Sequence, residues 1–212
     1  MGLAERKARE KEFQKQKRRT EIMDAAKILF RIKGFSVTTM EDIAREAELS
    51  PAALYLYFKN KDEIYGSLSL RTMDYLIENL EHIYAAGLDA MQNLNRLKDA
   101  FYRVYEFDPY VLLNLFNLQA SGKFKNVSPG FLTKLNRLSV RAFGSIRKFF
   151  EAGTRDGIFQ NESPAALADM AWSIFTGLVI WEESKKMFNP GKDYLKSTLD
   201  LAFKVLCKGI EN

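Results

Sequence analysis

Along residues 20–33 apolar side chains recur at Ile22, Ala25, Ala26, Leu29 and Phe30, the spacing of one helical face, and Lys33-Gly34 closes the run. A short connector follows, with Phe35 and Val37 as its expected apolar anchors. Thr39, with Asp42 three residues on, forms a capping box that opens a helix whose inner face is Ile43, Ala44 and Ala47. Leu49 is the apolar plug of a tight turn, and Ser50 caps a further helix over 51–58 with Pro51 at its first position, where a missing amide costs nothing. Leu54 and Phe58 point inward from it. Two short capped helices around a tight turn are a helix-turn-helix.

The rest of the chain keeps the helical period. Residues 62–86 place Ile64, Leu68, Tyr75, Leu76 and Leu80 on one face before Gly87. Residues 88–120 read as two helices parted at Asp108-Pro109, since proline ends one and opens the next. Turn formers mark 121–130 as a long loop, after which 131–151 carries Leu135, Leu138, Phe143, Ile146 and Phe150 up to a turn at 153–159. Two last helices, 164–188 and 193–210, are separated by Asn189-Pro190-Gly191. The pattern predicts an all-α protein of about nine helices.

Composition sharpens this. With 212 residues and 47% apolar side chains the chain can bury a sizeable core. Its net charge of +5 is unevenly placed: residues 1–61 hold 14 Lys and Arg against 9 Asp and Glu, whereas the remainder is balanced. Positive charge gathered at one end of a neutral body is either a nucleic-acid-facing end or simply a solvated basic face. Residues 3–19 carry eight Lys and Arg, three Glu and almost no apolar stripe, so they are either a solvated helical extension or an arm for phosphates or a minor groove. The single Cys207, beside Phe203, Val205 and Leu206, reads as a buried hydrophobe and rules out an internal disulfide. The most apolar run, 170–181, is too short to span a bilayer, and the basic N-terminus lacks a signal-peptide core, so a cytoplasmic protein without a membrane partner is expected. On that ground the sequons at Asn126 and Asn161 are chance matches, and lone His82 is expected to be structural or solvent-facing.

The run Thr39-Met40-Glu41-Asp42-Ile43-Ala44, then Ala47-Glu48-Leu49-Ser50, then Leu54-Tyr55-Leu56-Tyr57-Phe58 and Lys61 resembles the N-terminal domain of the TetR family of one-component transcriptional regulators. The likeness covers about residues 20–65. It departs at Glu48, where that family usually has a turn glycine, and at Ala52, often glycine. The resemblance implies three segments: a basic extension over 1–19, a three-helix DNA-binding domain over 20–65, and a ligand-binding and dimerisation domain over 66–212.

It also implies roles for particular residues. Thr39 would touch a phosphate, while Ser50, Pro51, Ala52 and Ala53 would enter the major groove, with Tyr55, Tyr57 and Lys61 on backbone oxygens. The chemistry agrees, because helix N-termini and hydroxyl or ammonium donors suit phosphates. Base readout looks thin: Pro51, Ala52 and Ala53 can meet thymine methyls but carry no bidentate donor, which leaves DNA shape, half-site spacing and groove-edge groups such as Arg45 and Met40.

In the body, Phe101, Tyr102, Tyr105, Tyr110, Phe116, Phe143, Trp172 and Phe175 are either plain core or, as the resemblance implies, the lining of an apolar pocket, with tyrosine hydroxyls and Arg103 as polar handles. The last two helices have surplus apolar surface, and the resemblance implies a two-fold homodimer through Leu178, Trp181, Leu195, Leu199 and Phe203. One His and one Cys leave no metal cluster, redox pair or Ser-His-Asp set, and neither GxGxxG nor a P-loop is present, so an enzyme, a cofactor and a metal are not expected. The expected function is a DNA-binding regulator, a repressor released from a palindromic operator by a small hydrophobic effector. The alternative is a dimeric DNA-binding protein that does not switch and has no pocket.

Overall fold

The computed structural model describes residues 2–121, 129–186, 188–189, 191 and 193–212. Among them nine helices are formed: α1 (Leu3–Lys33), α2 (Met40–Glu46), α3 (Pro51–Tyr55), α4 (Lys61–Ala85), α5 (Ala90–Phe107), α6 (Pro109–Ser121), α7 (Pro129–Arg155), α8 (Pro164–Lys186) and α9 (Leu195–Ile210). Most of the expected 121–130 loop, with the Asn126 sequon, lies outside the described residues, as does Pro190 of the last break.

The chain forms two compact units whose boundary falls inside α4, between Ser69 and Leu70. In the first, Ile22, Ala26 and Phe30 of α1 pack with Ile43 and Ala44 of α2, Leu54 and Phe58 around α3, and Ile64 and Leu68 of α4, all of them buried. Phe35 joins Phe30 and Tyr65 in a ring cluster with centroids 5.2–5.9 Å apart. Val37, expected as a second anchor, is 68% exposed instead, and Phe35 alone anchors the connector through its ring contacts. The first helix is also far longer than the apolar stripe that nucleates it: it starts at Leu3, and its N-terminal half is a solvated continuation. Helix propagation from a packed segment needs no second nucleation, and the Ala-, Glu-, Lys- and Arg-rich composition favours it.

In the second unit α5, α7, α8 and α9 pack around one core with Leu76 and Leu80 of α4. Phe101 stacks on Phe175 at 4.5 Å, at the centre of that core. The turn after α7 is fixed by Gly157 at φ 71° and by Phe159, whose ring folds back over Gly153. The C-terminal residues pair with this turn: the Gln160 amide donates to the Ile210 carbonyl at 2.8 Å and the Asn212 amide to that of Ile158 at 3.1 Å. Cys207 is buried, and burial pushes its thiol pKa up. His82 is exposed on α4.

The 170–181 run is part of a longer apolar element than its sequence suggests. As a helix α8 has 23 residues, with an 18-residue stretch of mean hydropathy 1.3 that by length and composition alone could cross a membrane. Only 28% of that stretch is buried inside the chain, although Leu167, Ala171, Phe175 and Val179 lie in the core.

Candidate nucleic-acid interface

The helix-turn-helix is held by side-chain caps at the start of each of its helices. At α2 the Thr39 hydroxyl accepts from the Asp42 amide at 3.1 Å while the Asp42 carboxylate accepts from the Thr39 amide at 3.2 Å. At α3 the Ser50 hydroxyl accepts from the Ala53 amide at 3.2 Å, with Pro51 at the first helical position. At α4 the Asn60 side chain accepts from the Glu63 amide and the Glu63 carboxylate from the Lys59 amide, both at 2.8 Å. This last cap adds to the two expected ones, and an Asn followed three residues later by Glu is its sequence mark.

Asp42 is a junction. The backbone and hydroxyl of Thr39, together with Lys33 at 3.3 Å, hold its carboxyl below the usual range. Arg45, 79% exposed, lies 3.6 Å from it. The turn between α2 and α3 places Glu48 at φ 54°, the left-handed region that glycine occupies freely, so the departure from the familiar turn glycine falls on a strained position.

The α3 helix is shorter than expected. It ends at Tyr55, after which the Leu56 and Tyr57 amides tighten onto the Ala53 and Leu54 carbonyls at 3.2 and 2.9 Å. Leu54 and Phe58 are buried, while Ser50, Pro51 and Ala52 are exposed and Ala53 half-exposed. Thr39 and Arg45 are exposed as well, as is Tyr55; Tyr57 is half-buried. The Thr39 and Ser50 oxygens accept within their own caps, which leaves each hydroxyl its proton to donate. Leu56, 79% exposed, extends the apolar part of this surface beyond the residues the sequence singles out.

Lys61 corrects the expectation. Its ammonium donates to three main-chain carbonyls of the α1–α2 connector, Phe35 at 2.8 Å, Ser36 at 3.0 Å and Thr38 at 3.1 Å, and lies 4.7 Å from the Phe35 ring centre. An ammonium has three protons, and all three are used, so in this structure Lys61 ties the connector instead of offering donors to a phosphate. Arg19 is used likewise: its guanidinium lies 3.9 Å from the Phe58 ring centre and donates to the Tyr57 carbonyl.

In the body, five of the eight expected pocket residues meet. The Trp172 ring lies 5.4–5.8 Å from those of Phe101, Phe116, Phe143 and Phe175. Tyr102 and Tyr105 stand apart from that group, 6.3 Å from each other, and Tyr110 is half-buried on α6. Tyr105 donates to Glu183 at 2.6 Å and accepts from Lys186, which itself reaches Glu183 at 2.9 Å. Burial and the bond to Glu183 push the Tyr105 phenol well above its usual range. Burial works against the Lys186 charge, but its bonds to Tyr105 and Glu183 prevail and raise its pKa. Arg103, the expected handle, faces solvent.

The expected dimer residues divide. Leu195, Leu199 and Phe203 are buried in the core of their own chain and present nothing to a partner, since the α9 stripe that ends at Ile210 packs inward. Trp181 is 62% exposed and Leu178 half-exposed. The outward apolar groups of α9 are Leu201 and Val205, an i, i+4 pair on the other side. Beside Val205 an open cleft of about 470 Å³ runs between α8 and α9, lined by Met170, Ile174, Leu206 and Ile210.

A compact helix-turn-helix with exposed residues around α3, in a chain whose other unit is all-helical, is the architecture of DNA-binding regulators of transcription. Residues 22–68 match the family described as bacterial regulatory proteins, tetR family. The transcriptional repressor KstR2 of Rhodococcus jostii (strain RHA1) is 28% identical over 160 residues, 73% of this chain and 76% of that protein. In fold the chain is similar to the TetR family regulator PfmR from Thermus thermophilus, with a TM-score of 0.74, 24% identity and coverage of 90% of this chain and 99% of that one. It is similar too to the regulator FadR from Bacillus subtilis in complex with stearoyl-CoA, with a TM-score of 0.69, 20% identity and coverage of 91% and 99%. The N-terminal segment 22–68 thus carries the DNA-binding domain of the tetR family of bacterial regulatory proteins, and the chain as a whole has the fold of regulators of that family.

Proposed function

We propose that the protein is a homodimeric repressor that occupies a palindromic operator and leaves it when a largely apolar small molecule binds the helical body. The observation that carries the reading is the surface of Thr39, Arg45, Ser50, Pro51, Ala52 and Tyr55, exposed around a short helix whose opposite side is buried. One such helix reads too few base pairs for useful affinity, whereas two set about one DNA turn apart, ~34 Å, read both halves of a palindrome. The apolar surface left on α8 and α9, with Trp181, Leu201 and Val205 exposed, is the surface we assign to the dimer.

The effector class proposed is a molecule with an acyl chain or comparable apolar body. The aromatic cluster around Trp172 supports it, and the relative FadR holds stearoyl-CoA within the same fold. An effector need favour the non-binding conformation by only a few kcal/mol to empty the operator, since ~1.4 kcal/mol is tenfold in affinity. A second reading is favoured by the tightness of those rings: a stacked pair at 4.5 Å inside edge contacts of 5.4–6.2 Å describes a filled core, and a filled core serves a protein that only dimerises and binds DNA.

Footprinting on the DNA upstream of the protein's own gene, across a salt series, tests the operator. A protected palindrome whose affinity falls with salt is expected, and its absence refutes the reading. Tyr57→Phe is expected to weaken all operator variants alike, whereas a loss confined to one base position would place Tyr57 on a base edge. Native mass spectrometry of the purified protein, followed by titration of long-chain acyl-CoA into the DNA complex, decides between the switching and the non-switching body.

A further inference from the structure

One stripe runs the length of α1 at the spacing four, four, three. It passes through Lys7, Lys11, Lys15 and Arg18, then Ile22, Ala26 and Leu29. The last three are buried against the rest of the DNA-binding unit. The first four therefore lie on the same side of the helix as the face that packs on that unit, where the helix has run past its support. The glutamates of this segment are off the row, and two are held by glutamines, Gln14 to Glu10 and Gln16 to Glu12 at 2.7 Å each. Arg18 is paired with Glu21 at 2.7 Å; among the described residues none forms an ion pair with Lys7, Lys11 or Lys15.

The place where the row begins is fixed. Arg19, the next residue, donates to the Tyr57 carbonyl just beyond α3 and lies over the Phe58 ring, so the extension starts beside the end of the recognition helix. Sixteen further helical residues at ~1.5 Å each reach ~24 Å from that point, about seven base-pair steps of ~3.4 Å. A membrane-lying helix needs a broad apolar face, and this segment has the isolated Phe13. Its surface fits a row of phosphates.

We propose that the N-terminal half of α1 is a second DNA-contacting element, a cationic rail of Lys7, Lys11 and Lys15 that binds phosphates flanking the operator half-site without reading sequence. This rests on the reading of α3 as the operator-binding helix. The rail adds affinity and lengthens the protected region while leaving the choice of site to α3.

The test compares the full chain with its Lys7→Gln/Lys11→Gln/Lys15→Gln variant. Each protein is titrated over a salt series into three duplexes: the operator with ten flanking base pairs on each side, the operator trimmed to its palindrome, and a random sequence. Gln keeps the helix, which circular dichroism checks. For the wild type, the slope of log K against log salt is expected to be steeper by ~0.9 per lysine engaged, up to ~2.7 per protomer, on flanked and random DNA. Trimming the flanks should weaken wild type and leave the variant unchanged. Equal slopes and equal footprints for the two proteins on flanked operator overturn the rail and leave the α3 reading standing. A slope difference on random DNA without a footprint on any operator supports the rail and sinks the α3 reading. A variant that loses binding to anionic vesicles while its DNA slope stays at the wild-type value overturns the rail in favour of a membrane surface.

Discussion

Replacing Lys61 with methionine separates two roles that a basic residue at the start of α4 can have. In the structure its ammonium caps the carbonyls of Phe35, Ser36 and Thr38, and the last of these immediately precedes the cap residue of α2. Methionine retains most of the aliphatic packing on Phe35 and removes the donors. Ser36 is exposed and its carbonyl finds water, whereas the bonds to Phe35 and Thr38 are partly buried. Two partly desolvated carbonyls left without a donor cost about 1 kcal/mol each at the low end of the usual range. The lost cation–π contact at a partly exposed site adds roughly 0.5 kcal/mol. Lys61→Met is therefore expected to cost about 2–3 kcal/mol and to lower Tm by roughly 4–12 °C for a chain of this size.

The assay is a pair of measurements on one variant, a thermal or urea melt without DNA and a salt series with operator DNA. If Lys61 holds the connector, stability falls, affinity falls because Thr39 is no longer held in place, and the salt slope is nearly unchanged. A phosphate clamp gives the opposite pattern: unchanged stability with a slope shallower by ~0.9 per protomer. That second result would refute the structural role of the Lys61 ammonium.

Three further outcomes follow from the geometry. Glu48→Gly relieves a left-handed residue at φ 54°; the relief of ~1–2 kcal/mol exceeds the ~0.5–1 kcal/mol entropic cost of glycine, so a net gain of roughly 0.5–1 kcal/mol should appear in a urea melt. Gly153→Ala brings a methyl within 2.0, 2.1 and 2.9 Å of atoms of the Phe159 ring, which is itself fully buried. The cost should reach or pass the ~3 kcal/mol end of overpacking, and Phe159→Leu in the same chain should be less damaging than the two changes added separately, as a double-mutant cycle on urea melts would show. Asp42 has a depressed pKa, so the stabilisation its capping box gives is present above the ordinary carboxylate range and is lost as pH falls through the depressed value. Hydrogen exchange of the α2 amides should show that acid loss in the wild type and a pH-independent, weaker protection in Asp42→Asn.

What the sequence made legible is what depends on neighbours within about four residues. Thr39 with Asp42, and Ser50 with the Ala53 amide, are caps whose partners sit close by in the chain, and both form as their residue types require. The inward faces of α1, α2 and the α3 turn are legible for the same reason, since helical period and burial coincide there. What could not be read depends on distant partners. Lys61 bonds to residues 23–26 positions upstream, and nothing in its local pattern distinguishes a capped ammonium from a free one. On α9 both faces are apolar, so periodicity alone could not say that Leu195, Leu199 and Phe203 face inward while Leu201 and Val205 face out. Packing with α5 and α8 made that choice.

The same distinction changes how the basic character of the N-terminal unit should be counted. All of the chain's net positive charge lies in residues 1–61, and taken as a number it suggests a surface uniformly devoted to DNA. The structure divides those cations by what their donors do. Arg19 is held by the Tyr57 carbonyl, Lys33 by Asp42 and Lys61 by three carbonyls, so these three hold the reading head in shape. Their charge still contributes to the long-range field, which acts over a Debye length, but their hydrogen-bond donors are already engaged. On the proposed reading, contact with phosphates then falls to other groups: the hydroxyls of Thr39 and Ser50, Tyr55 and Tyr57, and the lysine row on α1. On that proposal affinity and shape are served by different cations in one small domain, and salt dependence measured residue by residue is what tells them apart.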